Sequence, residues 1–280
     1  MPYLGNTAAY ILSLLIGAIV GSFLNVVIER LHNGGSLLWP PSHCPKCRHR
    51  LGLADLFPII SFIFLRGRCR YCREKISWQY PLVEIACGLL FLLAAAISSR
   101  HNPALNVFYH FNKSYFFSWL PAGGDLLIQL LRDWLAIAFL IVIFVYDLKW
   151  KLILDRIALP AIIIFFIINL VLGYGLANLL LATVIGFGFF ALQYLISRGR
   201  WIGGGDLRVG ALMGALLGWP QIILAIFLSY IIGALISIVL VITKGKKLTS
   251  EIPFAVFLAP ATLITLWLGG RIISWYLGFF

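Results

Sequence analysis

The chain has 280 residues, 61% of them hydrophobic and 11% charged, with a mean hydropathy of +0.98. Soluble domains carry roughly 25% charged residues, so this composition excludes a water-soluble globular protein and places the chain in the bilayer. The net charge of +12 falls in the loops between apolar runs, which accounts for it without a nucleic-acid partner.

A hydrocarbon core of about 30 Å takes about 20 helical residues. Runs of that character are predicted at 8 to 30, 80 to 99, 126 to 146, 157 to 174, 176 to 197, 206 to 219, 221 to 243 and 254 to 277. The predicted fold is therefore an all-α polytopic membrane protein of about eight transmembrane helices. The first run follows no basic residue and ends in Glu29-Arg30 where a small-residue cleavage site would belong, so it reads as a permanent span.

Between the first two runs lie Cys44-Pro45-Lys46-Cys47 and Cys69-Arg70-Tyr71-Cys72. Two C-x2-C pairs supply the four thiolates of a tetrahedral zinc site. Disulfides are the alternative, disfavoured where the loop faces a reducing cytoplasm. His43 and His49 flank the first pair and could replace a thiolate. Cys87, inside the second run, reads as a packed apolar residue.

The segment from Arg100 to Gly123 is rich in aromatic residues and suits an interfacial loop or short helix. In the third run Arg132 and Asp133 are expected to snorkel toward the outer interface. That run ends at Tyr146-Asp147. The sixth run follows Gly203-Gly204-Gly205-Asp206 and is short, so a tilted or re-entrant helix is expected there.

Basic residues cluster in every second loop: Lys46 to Lys75, then Lys149, Lys151 and Arg156, then Arg198 and Arg200, then Lys244, Lys246 and Lys247. The positive-inside rule makes these loops cytoplasmic and leaves both termini outside. Asp147 and Asp206 then share one depth at the cytoplasmic rim. Only 10 acids occur in the chain, and a carboxylate at membrane depth is a functional candidate. Two facing carboxylates share a proton, one acting as base on a water while the other protonates the scissile carbonyl, which is aspartic protease chemistry. Gly203 and Gly205 would support it by letting a peptide backbone approach. The plainer reading is a turn with Asp206 as a helix cap. Asp155, among Lys151 and Arg156, competes with Asp147 as the partner acid. Its setting suits a solvated salt bridge or a helix cap. A transporter with midplane acids is the non-enzyme alternative.

These residues, together with Gly21-Ser22-Phe23-Leu24-Asn25, Asp55-Leu56-Phe57-Pro58, Leu65-Arg66-Gly67-Arg68-Cys69 and Gln79-Tyr80-Pro81-Leu82-Val83-Glu84, carry a resemblance to the type IV prepilin peptidases. Presenilin-like and signal-peptide-peptidase-like proteases share the Tyr-Asp and Gly-x-Gly-Asp pair, but the cysteine loop argues against them. The resemblance implies a bacterial inner-membrane enzyme whose catalytic acids fall on Asp147 and Asp206. It would cleave the basic leader of prepilins and pseudopilins after a glycine on the cytoplasmic side. It would then methylate the new amino terminus with S-adenosylmethionine. Relatives carry a proline in the stretch before the second acid, where this chain has Ile153-Leu154-Asp155. The implied organisation is a first transmembrane helix over 1–31, a cytoplasmic zinc-binding loop domain over 32–79 and a transmembrane peptidase domain over 80–280. Glu29 and Glu84, at the inner ends of the first two spans, are candidates to contact an amine or the cationic cofactor; pairing with Arg30, Arg66 or similar neighbours is the structural alternative.

Overall fold

The computed structural model describes residues 2–36, 39, 41–100, 124–244 and 253–279. The aromatic segment expected at the outer interface lies outside them, as do Lys246 and Lys247. Nine α-helices are described: α1 Pro2–His32, α2 Ile60–Phe64, α3 Gln79–Arg100, α4 Gly124–Trp150, α5 Asp155–Val171, α6 Leu176–Ser197, α7 Gly204–Leu217, α8 Gln221–Lys244 and α9 Ala255–Leu277. Among the described residues there is no strand, only two isolated antiparallel bridges in the cysteine loop.

Eight long helices match the eight predicted spans, but they are not equal. Six are long and apolar enough to cross a membrane: α1, α3, α4, α6, α8 and α9. α5 has 17 residues and α7 has 14, which at 1.5 Å per residue gives about 25 Å and about 21 Å. α7 is thus shorter than a core of about 30 Å.

The chain forms two compact units, 1–99 with 133–142, and 100–132 with 143–280. In the first, α1 and α3 cross through Gly17, Gly21 and Gly88. A Cβ at Gly17 would lie 2.7 Å from the Cys87 carbonyl oxygen, and one at Gly21 would lie 2.8 Å from the Glu84 Cα. Helices in lipid associate through such small residues, because close backbone approach gives the packing that a hydrophobic force cannot. Cys87 is fully buried in this crossing, as a packed apolar side chain. Asn25, also fully buried, fastens the start of α3. Its amide donates to the Tyr80 carbonyl at 3.1 Å and its oxygen accepts from Gln79 Nε2 at 3.2 Å.

The second unit repeats the device. Gly210 and Gly214 of α7 meet Gly186 and Ala182 of α6 so closely that a Cβ at Gly210 would sit 2.4 Å from the Gly186 oxygen. At the far end of α7, Asn169 of α5 donates to the carbonyls of Ala215 at 2.8 Å and Leu216 at 2.9 Å. Those are orphan acceptors of a helix that stops short of water. Asn169 in turn accepts from Arg132 Nη1 at 3.1 Å. This corrects the snorkelling expectation. Arg132 and Asp133 are both buried, 7% and 6% exposed, because the guanidinium finds an acceptor inside the bundle.

Candidate active site and metal-binding loop

Asp147 lies in the last turn of α4 and Asp206 in the first turn of α7. Both belong to the second unit, both are buried, and the charge of one acts on the other. α7 begins without a side-chain cap from Gly203; instead the Asp206 carboxylate turns back and accepts from the Gly203 N–H at 3.1 Å. Asp206 is therefore not the N-cap that the plainer reading made it; it is the third residue of the helix and closes back on the N-cap, Gly203.

Gly203 and Gly205 differ. A Cβ at Gly203 would make ordinary contact, 3.7 Å from Asp206 Oδ2, whereas one at Gly205 would lie 2.7 Å from the Ile153 Cβ. Gly205 is fixed by the close passage of the α4–α5 connection.

Asp147 is held from a direction the sequence reading did not consider. The backbone N–H groups of Ala255 and Val256, the first two residues of α9, donate to its carboxylate. α9 has no acid in its first turn and no side-chain cap of its own, so its orphan N–H groups take an acceptor from another helix. That uncapped start, after Pro253, was the available signal. The Lys151 charge also acts on Asp147. The Asp147 Oδ2 is buried and has no hydrogen-bond partner among the described residues. A buried acceptor left unsatisfied costs about 1–3 kcal/mol, and such orphans call for an explanation such as a catalytic role.

Asp155 is placed elsewhere. It opens α5, is half exposed, and forms an ion pair with Arg208 Nη1 at 2.6 Å.

In the first unit the four sulfurs of Cys44, Cys47, Cys69 and Cys72 all lie within 4.8 Å of one another. Cys44 and Cys72 are 3.8 Å apart, the edge of a tetrahedron with metal–sulfur bonds of about 2.3 Å. The donor set fits a metal ion. Each pair sits in the same knuckle: Cys44 N donates to His49 O and Cys69 N to Glu74 O, at 3.0 and 2.8 Å, and the residue after each pair, Arg48 or Arg73, is left-handed with φ of 57° or 58°. Burial pushes the Cys44 thiol up, but the N–H groups of Cys47 and Lys46 and the thiols of Cys69 and Cys47 bring it down to about 7, while the Glu74 N–H draws Cys72 down but the same thiol cluster pushes it up to about 11. His43 bonds to Pro41 O and His49 stacks on Tyr71 with ring centres 3.6 Å apart, so neither is needed as a ligand. Asp55 braces the second knuckle through Arg70 Nε at 2.6 Å. Burial pushes its carboxyl up, but the Arg70 bond and charge hold it below the usual carboxylate range.

Glu84 is 7% exposed. It accepts from the Ile59 N–H at 2.7 Å and bonds the Ser22 side chain, rather than pairing with Arg66. Glu29 is half-buried and its charge acts on Tyr80.

The described residues thus define a helical protein with six candidate membrane spans, a four-cysteine cluster able to hold a metal ion, and two buried acids, one acting on the other by its charge. The comparisons agree with that class. Residues 15–98 match the bacterial peptidase A24 N-terminal domain, and residues 134–238 match the type IV leader peptidase family. A prepilin leader peptidase/N-methyltransferase of Stutzerimonas stutzeri is 32% identical over 98% of this chain and 96% of its own. The protein of that name from Bacillus subtilis is 32% identical over 94% and 96%, and that from Pseudomonas aeruginosa 30% over 100% and 99%. The chain belongs to the type IV leader peptidase family. No solved structure matches it.

Proposed function

We propose that this chain is an aspartic endopeptidase of the bacterial inner membrane that removes the basic leader from prepilins and pseudopilins after a glycine, with Asp147 and Asp206 as the catalytic pair. The observation that carries the reading is the burial of these two acids within reach of each other's charge, one of them with an unsatisfied oxygen. Buried facing carboxylates do not both ionise, so one proton serves the pair. The ionised member takes a proton from water as it attacks the scissile carbonyl. The protonated member gives its proton to the carbonyl oxygen, and the proton gained from water later goes to the leaving amine. The Ala255 and Val256 N–H groups hold Asp147 in place throughout.

The loop charges support an active site facing the cytoplasm with both termini outside. Zinc is the ion best suited to the four thiolates, in a structural role. The names of the relatives support a second activity, methylation of the new amino terminus. S-adenosylmethionine would supply the methyl group as a sulfonium. Glu29 and Glu84 are the candidates to hold such a cation or the amine, and Glu84 already accepts from Ile59 and bonds Ser22.

Leader cleavage of a purified prepilin tests the dyad. Asp147→Asn and Asp206→Asn should each lose about 10³-fold or more in kcat while still inserting and folding, and Asp155→Asn should stay within a few-fold. Full cleavage by either dyad variant would sink the assignment.

A further inference from the structure

Between the two cysteine pairs, residues 53–64 expose an apolar ridge that neither the thiolate site nor the acid pair uses. Leu53 is 87% exposed, Phe57 60%, Ile63 66% and Phe64 82%, with Ile60 half exposed. Ile60, Ile63 and Phe64 stand three and four residues apart on α2, hence on one face. Phe62 turns the other way, against Trp78 with ring centres 5.0 Å apart. An apolar patch of this kind on a domain outside the spans marks an interaction surface.

Its height is set by Glu84. The N–H of Ile59, the N-cap residue just before α2, donates to the Glu84 carboxylate at 2.7 Å. Glu84 is the sixth residue of α3, about 8 Å along the span at 1.5 Å per residue. Ile59 adopts φ of 63° with ψ of −49°, a positive-φ conformation that a β-branched side chain takes only under constraint. A buried carboxylate thus bolts the start of α2 to the first turns of α3, a helix long and apolar enough to cross a membrane. On both sides of the ridge in sequence, residues 43–75 hold eight Lys and Arg against Asp55 and Glu74, and Asp55 is already taken by Arg70.

We propose that the ridge from Phe57 to Phe64 is an interfacial anchor, with its apolar side chains in the leaflet from which α3 begins and the flanking arginines on anionic lipid headgroups. The charge selects this occupant: a basic rim repels a basic leader peptide and attracts anionic phospholipid. The inference needs only the membrane placement of α1 and α3, so it stands or falls apart from the peptidase reading.

The test uses the full chain in nanodiscs. A benzoylphenylalanine replacing Phe64 should crosslink to lipid on illumination, read by mass spectrometry of the peptide. Amide exchange across 57–66 should be about tenfold slower or more with phosphatidylglycerol present than in phosphatidylcholine alone. Phe64→Glu should erase that difference while the metal content of the four-cysteine site holds. Adducts confined to protein, or equal exchange in the two lipids, would overturn the anchor. Because the crosslinking arm keeps the rest of the chain native, it decides the matter even if Phe64→Glu fails to fold.

Discussion

Room for a single methyl group separates Gly205 from its neighbours in the Gly203-Gly204-Gly205-Asp206 stretch. Only at Gly205 would a Cβ collide, with the Ile153 Cβ 2.7 Å away and its Cδ1 3.0 Å away. Gly205→Ala should push the first turn of α7 off its seat and move Asp206 with it. Displacement of about 1 Å at a reacting group costs about 10²-fold, so kcat for leader cleavage should fall by that order with little change in KM. Ile153→Gly should restore most of it, whereas Ile153→Ala keeps the offending Cβ and should not. Equal rescue by the two would mean that the glycine matters for flexibility rather than space. The sequence made the two acids legible, because carboxylates are scarce in this chain and costly in lipid. It could not rank the glycines, since what distinguishes Gly205 is a side chain 52 positions earlier. Nor did it reveal Ala255 and Val256, whose contribution is made by backbone N–H groups.

Among the elements, α7 is the one whose length needs explaining. Its fourteen residues carry Asp206 in the first turn and end where Asn169 receives the last carbonyls. The Asn169 amide closes two carbonyls while its oxygen takes the Arg132 guanidinium, and a cation near a helix C-terminus also suits the dipole. Asn169→Leu removes all three bonds. It should lower stability by roughly 2–4 kcal/mol, measured by thermal or denaturant unfolding in detergent, and Arg132→Met added to it should recover part of the loss. An unchanged melting temperature for Asn169→Leu would remove the clamp from the account. Eight apolar runs were readable with their order and most of their bounds. The inward turn of Arg132 was not, because a lone asparagine in an apolar run gives no sign of the face it occupies.

At the scale of the whole molecule, each compact unit joins apolar helices at glycine crossings, but among the described residues only the first carries a cluster able to hold a metal ion, which acid would strip. The loop between α1 and α3 has two knuckles, no strand among the described residues and a largely exposed apolar ridge, so it has little core of its own. In small domains of this kind metal-binding energy is folding energy. Chelation should therefore raise amide exchange across 41–78 sharply and leave the α1–α3 crossing at Gly17, Gly21 and Gly88 protected. Acid should act in a fixed order. Thiolates must be deprotonated to hold the ion, so metal leaves as they protonate. Asp55, held below the usual carboxylate range by Arg70, stabilises the loop above its ordinary pKa and loses that effect only as pH falls through the lowered value. Metal loss should thus open the loop, 52–56 included, before acid reaches the Asp55 carboxyl itself. A chromogenic zinc indicator followed along an acid titration, beside exchange at 52–56, measures both events. Metal retained until the Asp55 region has already opened would show that the knuckles do not depend on the ion.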